Sequence, residues 1–235
     1  MHDLPRFMGK VFSSNLTHSD SFGVMDKYTD GELVWLLKTG IARDGRYVPY
    51  MIRPNLAEDD IRDIILYFRS KALAVSATDT IPGKTHVNAF GKFATRLAGK
   101  PLPYKKVARP GENDTVAYGR YLVDNLACYH CHSQSILGLN YLQPENSKGY
   151  MAGGMKFKYM GRRVYASNLT PEKETGLGGY DLLDFRRALQ RGLKPSGEKI
   201  RQPMQQFPNL TNRQCDAIYR YLQTLAPKWN KVKGH

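Results

Sequence analysis

Cys128-Tyr-His-Cys131-His132 decides the reading of this chain. Two thiols three positions apart can each add to a vinyl group on one edge of a porphyrin, and the histidine that follows is then held beneath the iron. A longer gap would miss the second vinyl, and a displaced histidine would miss the metal. The pattern predicts covalent haem attachment, with Cys128 and Cys131 as thioether residues and His132 as an axial iron ligand. Two other chemistries share parts of the pattern. A structural zinc wants four ligands, commonly two Cys-x-x-Cys pairs. The third cysteine, Cys215, stands alone on a predicted helix, so His130 and His132 would have to complete a cramped set. A thioredoxin-like redox pair needs a strand-to-helix context, whereas the residues before Cys128 have a helical pattern.

That pattern runs from Thr115 to Ala127, with Val116, Gly119, Leu122, Val123 and Leu126 along one face. Gly119 costs roughly 1 kcal/mol against alanine in a helix interior, which predicts a close helix crossing there. Thr29-x-x-Glu32 and Thr211-x-x-Gln214 have the form of capping boxes. No pair of alternating segments is read as a sheet, so the expected secondary structure is helical.

The two ends of the sequence repeat each other. Ser14-Asn15-Leu16-Thr17 recurs as Ser167-Asn168-Leu169-Thr170, and Leu37-Lys-Thr-Gly40 recurs in type as Leu189-Gln-Arg-Gly192. Met51 precedes Asn55-Leu56 as Met204 precedes Asn209-Leu210, and Tyr67-Phe68 matches Tyr221-Leu222. The separations stay between 152 and 154 residues. Each copy closes with an amphipathic helix: Ile61, Ile64, Ile65 and Phe68 in the first, Ile218, Tyr221, Leu222 and Leu225 in the second. The expected domains are 1–72, the latter part of a first copy; 73–111, a connector; and 112–228, a whole copy. The connector carries seven Lys or Arg, with Lys71 just before it, against Asp79 alone, and four prolines, which suit a solvated extended strap with one short helix near Asn88–Leu97.

The 235 residues suffice for two small domains, and the net charge is +14 with pI near 9.7. Such a balance suits acidic partners, nucleic acid or an anionic membrane surface. With no zinc finger, basic DNA-binding helix or RNA-binding aromatic signature, no nucleic acid partner is expected. Three cysteines build no disulfide framework. No run of about 18 apolar residues is present, so no transmembrane segment is expected. The start, Met1-His-Asp-Leu-Pro, lacks a signal-peptide pattern.

The second iron face needs its own ligand if the protein carries electrons. Met204 is the choice. A thioether is soft and neutral, favours ferrous iron and raises the potential of a His/Met haem. Gln202-Pro203 stiffens its loop, and Met51 holds the same place in the first copy, which makes Met51 the axial ligand of a possible first haem. Met151, Met155 and Met160 are nearer alternatives in a Gly-rich loop. Asn168 matches a glycosylation site formally, but its repetition points to local hydrogen bonding in a loop along the haem edge. Cys215 reads as a small buried residue.

The combination of Gly119-Arg-Tyr121, Cys128-x-x-Cys131-His132, Asn168-Leu-Thr-Pro-x-x-x-Thr175-Gly-x-Gly178, Pro203-Met204 and Tyr221-Leu222 resembles bacterial two-domain, di-haem cytochromes c. It is also similar to cytochrome c subunits of membrane-bound alcohol and sugar dehydrogenases. The resemblance covers nearly all of the second domain. The first copy resembles the family from Phe12-Ser-Ser-Asn15 through Arg69, but its own Cys-x-x-Cys-His would stand about 25 residues before Met1 by the repeat offset. The reading favours a recorded start that falls too late over a haem lost from the first domain.

The resemblance implies an all-α fold of two tandem cytochrome c-like domains, the first lacking its N-terminal haem-attachment segment. It implies one haem c attached through this sequence and room for a second, periplasmic location, and an electron carrier rather than an enzyme. Such a carrier would serve a respiratory chain or relay electrons within a dehydrogenase complex, with redox partners that present acidic docking surfaces. A di-haem peroxidase is the competing reading. It needs an iron with a releasable sixth position and a nearby acid/base group, and none of His2, His18, His86, His130, His132 and His235 is placed for that role.

Overall fold

Both capping boxes open helices. These helices belong to a computed structural model that describes residues 9–10, 12–48, 51–81, 83, 85–89 and 100–232. The Thr29 hydroxyl accepts from the Glu32 amide while the Glu32 carboxylate accepts from the Thr29 amide, starting α1, Asp30–Thr39. Gly40, at φ 81°, ends it in the left-handed region that glycine enters without strain. The helix α2 is Glu58–Phe68, and a two-residue strand pair, β1 (Gly9–Lys10) with β2 (His86–Val87), completes the first of two compact units, Met1–Ala108. Most of the predicted helix near Asn88–Leu97 lies outside the described residues.

The second unit, Arg109–His235, contains α3 (Thr115–Asn125), α4 (Cys128–His132), β3 (Lys156–Tyr159), β4 (Arg162–Tyr165), α5 (Leu182–Arg191) and α6 (Asn212–Gln223). Thr211 and Gln214 form the second capping box at the head of α6. Here α3 crosses α6 at Gly119. A Cβ on Gly119 would stand 1.9 Å from the Ala217 carbonyl oxygen and 2.9 Å from Tyr221 Cβ, so only glycine allows this approach. Val123, Ile218 and Leu222 are buried beside the crossing, and Tyr129, Met151 and Phe185 continue the core.

The all-α expectation is wrong: the fold is mixed α/β. Alongside six α-helices among the described residues stand two small antiparallel pairs. The pair missed in the sequence is β3–β4, in register Lys156↔Tyr165 through Tyr159↔Arg162. Lys156-Phe-Lys-Tyr159 alternates exposed and half-buried residues, the signature of a strand with one covered face. Met160 and Gly161 join the strands with φ of 45° and 79°, the two positive values of a hairpin turn whose twist matches its strands. Four residues per strand are too few for alternation to stand out against the helical periods around them.

The repeat is reproduced bond for bond. Met51 N donates to Val48 O at 3.1 Å, and Met204 N to Arg201 O at 3.2 Å. Val48 N reaches Gly40 O and Ile200 N reaches Gly192 O, each at 2.7 Å. Arg53 N bonds Leu37 O as Phe207 N bonds Leu189 O. After each closing helix the chain returns to the Asn-Leu-Thr loop: Thr78 N donates to Thr17 Oγ1, and Lys228 N to Thr170 Oγ1. Beyond it, Leu102 N donates to Thr39 O, and Glu58 accepts from the Tyr104 hydroxyl and the Val107 amide, so residues 73–108 are grouped with the first unit.

Replacing Gly119 by Ala is expected to destabilise the second unit by about 3 kcal/mol, because the new methyl meets backbone that cannot move aside. Urea denaturation followed by circular dichroism measures it.

Candidate functional site

The site begins where α3 ends. Leu126 closes α3, and Ala127, at φ 58°, turns the chain through the left-handed region into α4. One helical turn separates Cys128 from Cys131, which puts both sulfurs on one face. Cys128 is half-buried against the core, and Cys131 is exposed. Burial pushes the Cys128 thiol up to about 12, with Cys131 and Asp124 adding to it, and desolvation by the surrounding chain also raises Cys131 although its surface is partly open to solvent. Thiols held neutral lack the electropositive setting of a reactive redox pair. Among the described residues no three His, Cys, Asp or Glu side chains gather as a metal-ion site requires.

His132 is buried, with 7% of its surface exposed. Its Nδ1 stands 2.7 Å from the Ser167 carbonyl oxygen. A carbonyl only accepts, so Nδ1 carries the proton and Nε2 keeps a lone pair for a metal. Burial lowers the pKa of the ring against the opposing Ser167 bond, and so favours that neutral form. His130 lies edge-on to Tyr129 and Tyr141.

The Ser167 carbonyl is itself held in place. Gly153 N donates to His132 O at 2.8 Å, and a Cβ on Gly153 would stand 2.5 Å from the Ser167 carbonyl group. The hairpin springs from the same point: Gly154 N bonds Ala166 O, and Ala166 N bonds Met155 O.

Asn168, 1% exposed, directs its whole side chain into the protein. Its Oδ1 accepts from Thr170 N and Thr170 Oγ1, while its Nδ2 donates to Thr175 Oγ1 and Lys228 O. Asn230 N donates to Thr175 Oγ1 and Asn230 Nδ2 to Ala152 O, so the tail ties this loop to the turn carrying Gly153.

Met204 is half-buried and packs on the same core cluster as Cys128, Leu169 and Phe207. Burial separates it from its neighbours in the sequence: Met151 and Met155 are core residues, and Met160 is the exposed tip of the hairpin. Met51 is half-buried in the first unit within the hydrogen-bond frame described above. Cys215 is fully buried on α6. Sequence reasoning missed Ser167 as the partner of His132. It contributes a backbone oxygen, which no side chain announces, although Ser167 opens the repeated Ser-Asn-Leu-Thr motif. Also missed is a polar group behind Cys128, made of Arg120, Asp124, Glu145, Tyr150 and Tyr221.

No protein-family model matches the chain. It is similar to the fructose dehydrogenase cytochrome subunit of Gluconobacter japonicus, 28% identical over 94% of this chain and 46% of that protein. It resembles the cytochrome c subunit of the quinone alcohol dehydrogenase of Gluconobacter oxydans, 28% identical over 48% of this chain and 22% of the relative. The cytochrome c subunit of gluconate 2-dehydrogenase from Pantoea cypripedii is 29% identical over 51% of this chain and 25% of the relative. The chain thus spans less than half the length of these relatives. Among the described residues no helix is long and apolar enough to cross a membrane.

Asn168→Ala strands the Thr170 amide and leaves the Lys228 carbonyl only its 3.5 Å contact with the Thr170 hydroxyl, and is expected to cost about 2–3 kcal/mol. Hydrogen exchange should speed up at the Thr170, Lys228 and Asn230 amides, with α3 unaffected.

Proposed function

We propose that the second unit carries one haem c and passes single electrons between redox proteins, as a relay within a dehydrogenase complex or a periplasmic respiratory chain. The observation that carries this reading is the one-turn helix Cys128–His132, whose histidine is fixed by Ser167 with Nε2 free to bind a metal. The donor set fits the group: two neutral thiols on one helical face, a neutral buried imidazole, and a thioether packed on the same cluster. Cys128 and Cys131 would form the thioether bonds. His132 Nε2 and Met204 Sδ would be the axial ligands, and Asn168 would hold the haem-edge loop in place. Bound there, the haem supplies an iron that cycles between ferric and ferrous states. The chain's part is to hold both ligands fixed so that little rearranges on electron transfer. The likeness of the Met51 loop to the Met204 loop supports Met51 as axial ligand of a first haem, if a Cys-x-x-Cys-His segment precedes it.

An acidic redox partner is supported by the hairpin. Lys156, Lys158, Arg162 and Arg163 are exposed, and none forms an ion pair with a described residue. Lys158 and Arg163 face each other across the strands, a like-charge pairing that costs stability and that a carboxylate-bearing partner relieves. No Asp or Glu occurs between Glu145 and Glu172 to offset them.

In the periplasm of a host that matures cytochromes c, the expressed chain should gain the mass of one haem, and Cys128→Ala with Cys131→Ala should have the mass of bare polypeptide. Met204→Ala should keep the covalent haem, shift the ferric spectrum to high spin and lower the midpoint potential; an unchanged spectrum would move the sixth ligand elsewhere. Reversing Lys158 and Arg163 to Glu should weaken binding of labelled poly-L-glutamate and flatten its dependence on NaCl, read by fluorescence anisotropy.

A further inference from the structure

Asp124 lies in the last turn of α3, four residues before Cys128 and ahead of the left-handed turn at Ala127, with 9% of its side chain exposed. Its neighbours compensate it poorly. Arg120, from the same helix, gives its close contact to Glu145 of the Pro144–Asn146 turn at 2.6 Å, while its Nε stands 3.8 Å from Asp124. From the loop that follows, the Tyr150 hydroxyl reaches Asp124 Oδ1 only at 3.5 Å, and it pairs at 2.9 Å with the Tyr221 hydroxyl of α6. A further titratable neighbour among the described residues is Cys128, whose thiol feels the Asp124 charge. One cation is thus divided between two carboxylates, and the better contact goes to the more exposed one.

We propose that Asp124 is a proton-binding site coupled to electron uptake at the Cys128–His132 site, gaining a proton on reduction and releasing it on oxidation. This rests on the haem reading above. An electron arriving at the group tethered through Cys128, whose thiol feels the Asp124 charge, lowers the positive charge that a buried carboxylate depends on, and in a low-dielectric interior that loss is little screened. The electron comes from the redox donor and the proton from solvent, along the half-exposed Arg120–Glu145 pair. The only bond made is the carboxyl O–H, and it breaks again on oxidation. Burial pushes Asp124 up to about 7, against Arg120 and with Glu145, which brings the exchange into the neutral range. The two tyrosines stay protonated, since burial raises both.

The test is the midpoint potential of the haem-loaded protein, taken by optical redox titration from about pH 5 to about pH 9. One proton per electron is a tenfold shift of the redox equilibrium per pH unit, or about 59 mV. The wild type should approach that slope in a window around neutrality and flatten on either side. Asp124→Asn should be flat. Glu145→Gln, which removes the acidic neighbour and frees Arg120 for Asp124, should keep the slope but move its window to lower pH; it also carries the test if Asp124→Asn does not fold. A flat wild type overturns the proposal, as does a slope that survives in Asp124→Asn or a window that Glu145→Gln leaves in place. Pyridine haemochrome spectra of the same samples separate the two levels. Material without thioether-bound haem overturns the parent reading and the coupling together, whereas loaded material with a flat potential overturns the coupling alone.

Discussion

The second unit depends on the contact between Gly119 and the Ala217 carbonyl. Two helices approach until backbone meets backbone, and every other placement in the unit follows. The crossing fixes the direction in which α3 ends, the turn at Ala127 fixes α4, and α4 fixes the two sulfurs and the imidazole. A side chain at the crossing would displace α3, and the helix start at Cys128 with it. The conformational cost of glycine inside a helix is accepted because no bulkier residue lets Val123 pack against the Ile218 and Leu222 layer at that distance.

The second constraint is a chain of backbone carbonyls. His132 is oriented by Ser167 O, Ser167 by the close approach of Gly153, and the next residue, Asn168, by Thr170, Thr175 and Lys228. None of these groups needs to contact a cofactor to shape its site. Their effect is on the tautomer and direction of one imidazole, which decides whether Nε2 offers a lone pair. Asn168 therefore acts through the loop it holds, and the repetition of its bonds at Asn15, which accepts from Thr17 N and Thr17 Oγ1, marks a structural device used twice.

Much of this was legible in the residues. The capping boxes, the interior glycine and the repeat each rest on local chemistry, and each is found again in the structure. The hairpin was not legible, because Lys156-Phe-Lys-Tyr159 is short and its alternation is broken by the Arg162-Arg163 pair on the return strand. Ser167 was hidden because it acts through its backbone. The Asp124 group was hidden because its members, from Arg120 to Tyr221, are assembled by the helix crossing and have no spacing of their own.

The two copies also separate what the loop around each methionine requires from what the helix crossing adds. Ile218 and Tyr221 are 2% and 6% exposed beneath α3, while their counterparts on α2, Ile64 and Tyr67, are 40% and 49% exposed. The opening helix is thus the cover of that face in the second unit. Yet the hydrogen bonds that frame Met51 equal those that frame Met204. The frame is set by the helix that precedes the loop: Gly40 and Gly192 terminate α1 and α5 in the same left-handed conformation and accept from Val48 and Ile200. Side-chain anchors complete it, with Lys38 reaching the Leu56 carbonyl in one copy and Gln190 the Leu210 carbonyl in the other. A methionine can therefore be presented by this loop independently of whether the face beside it is covered. The loop that holds each methionine and the short helix that holds Cys128, Cys131 and His132 are thus built by separate parts of the chain.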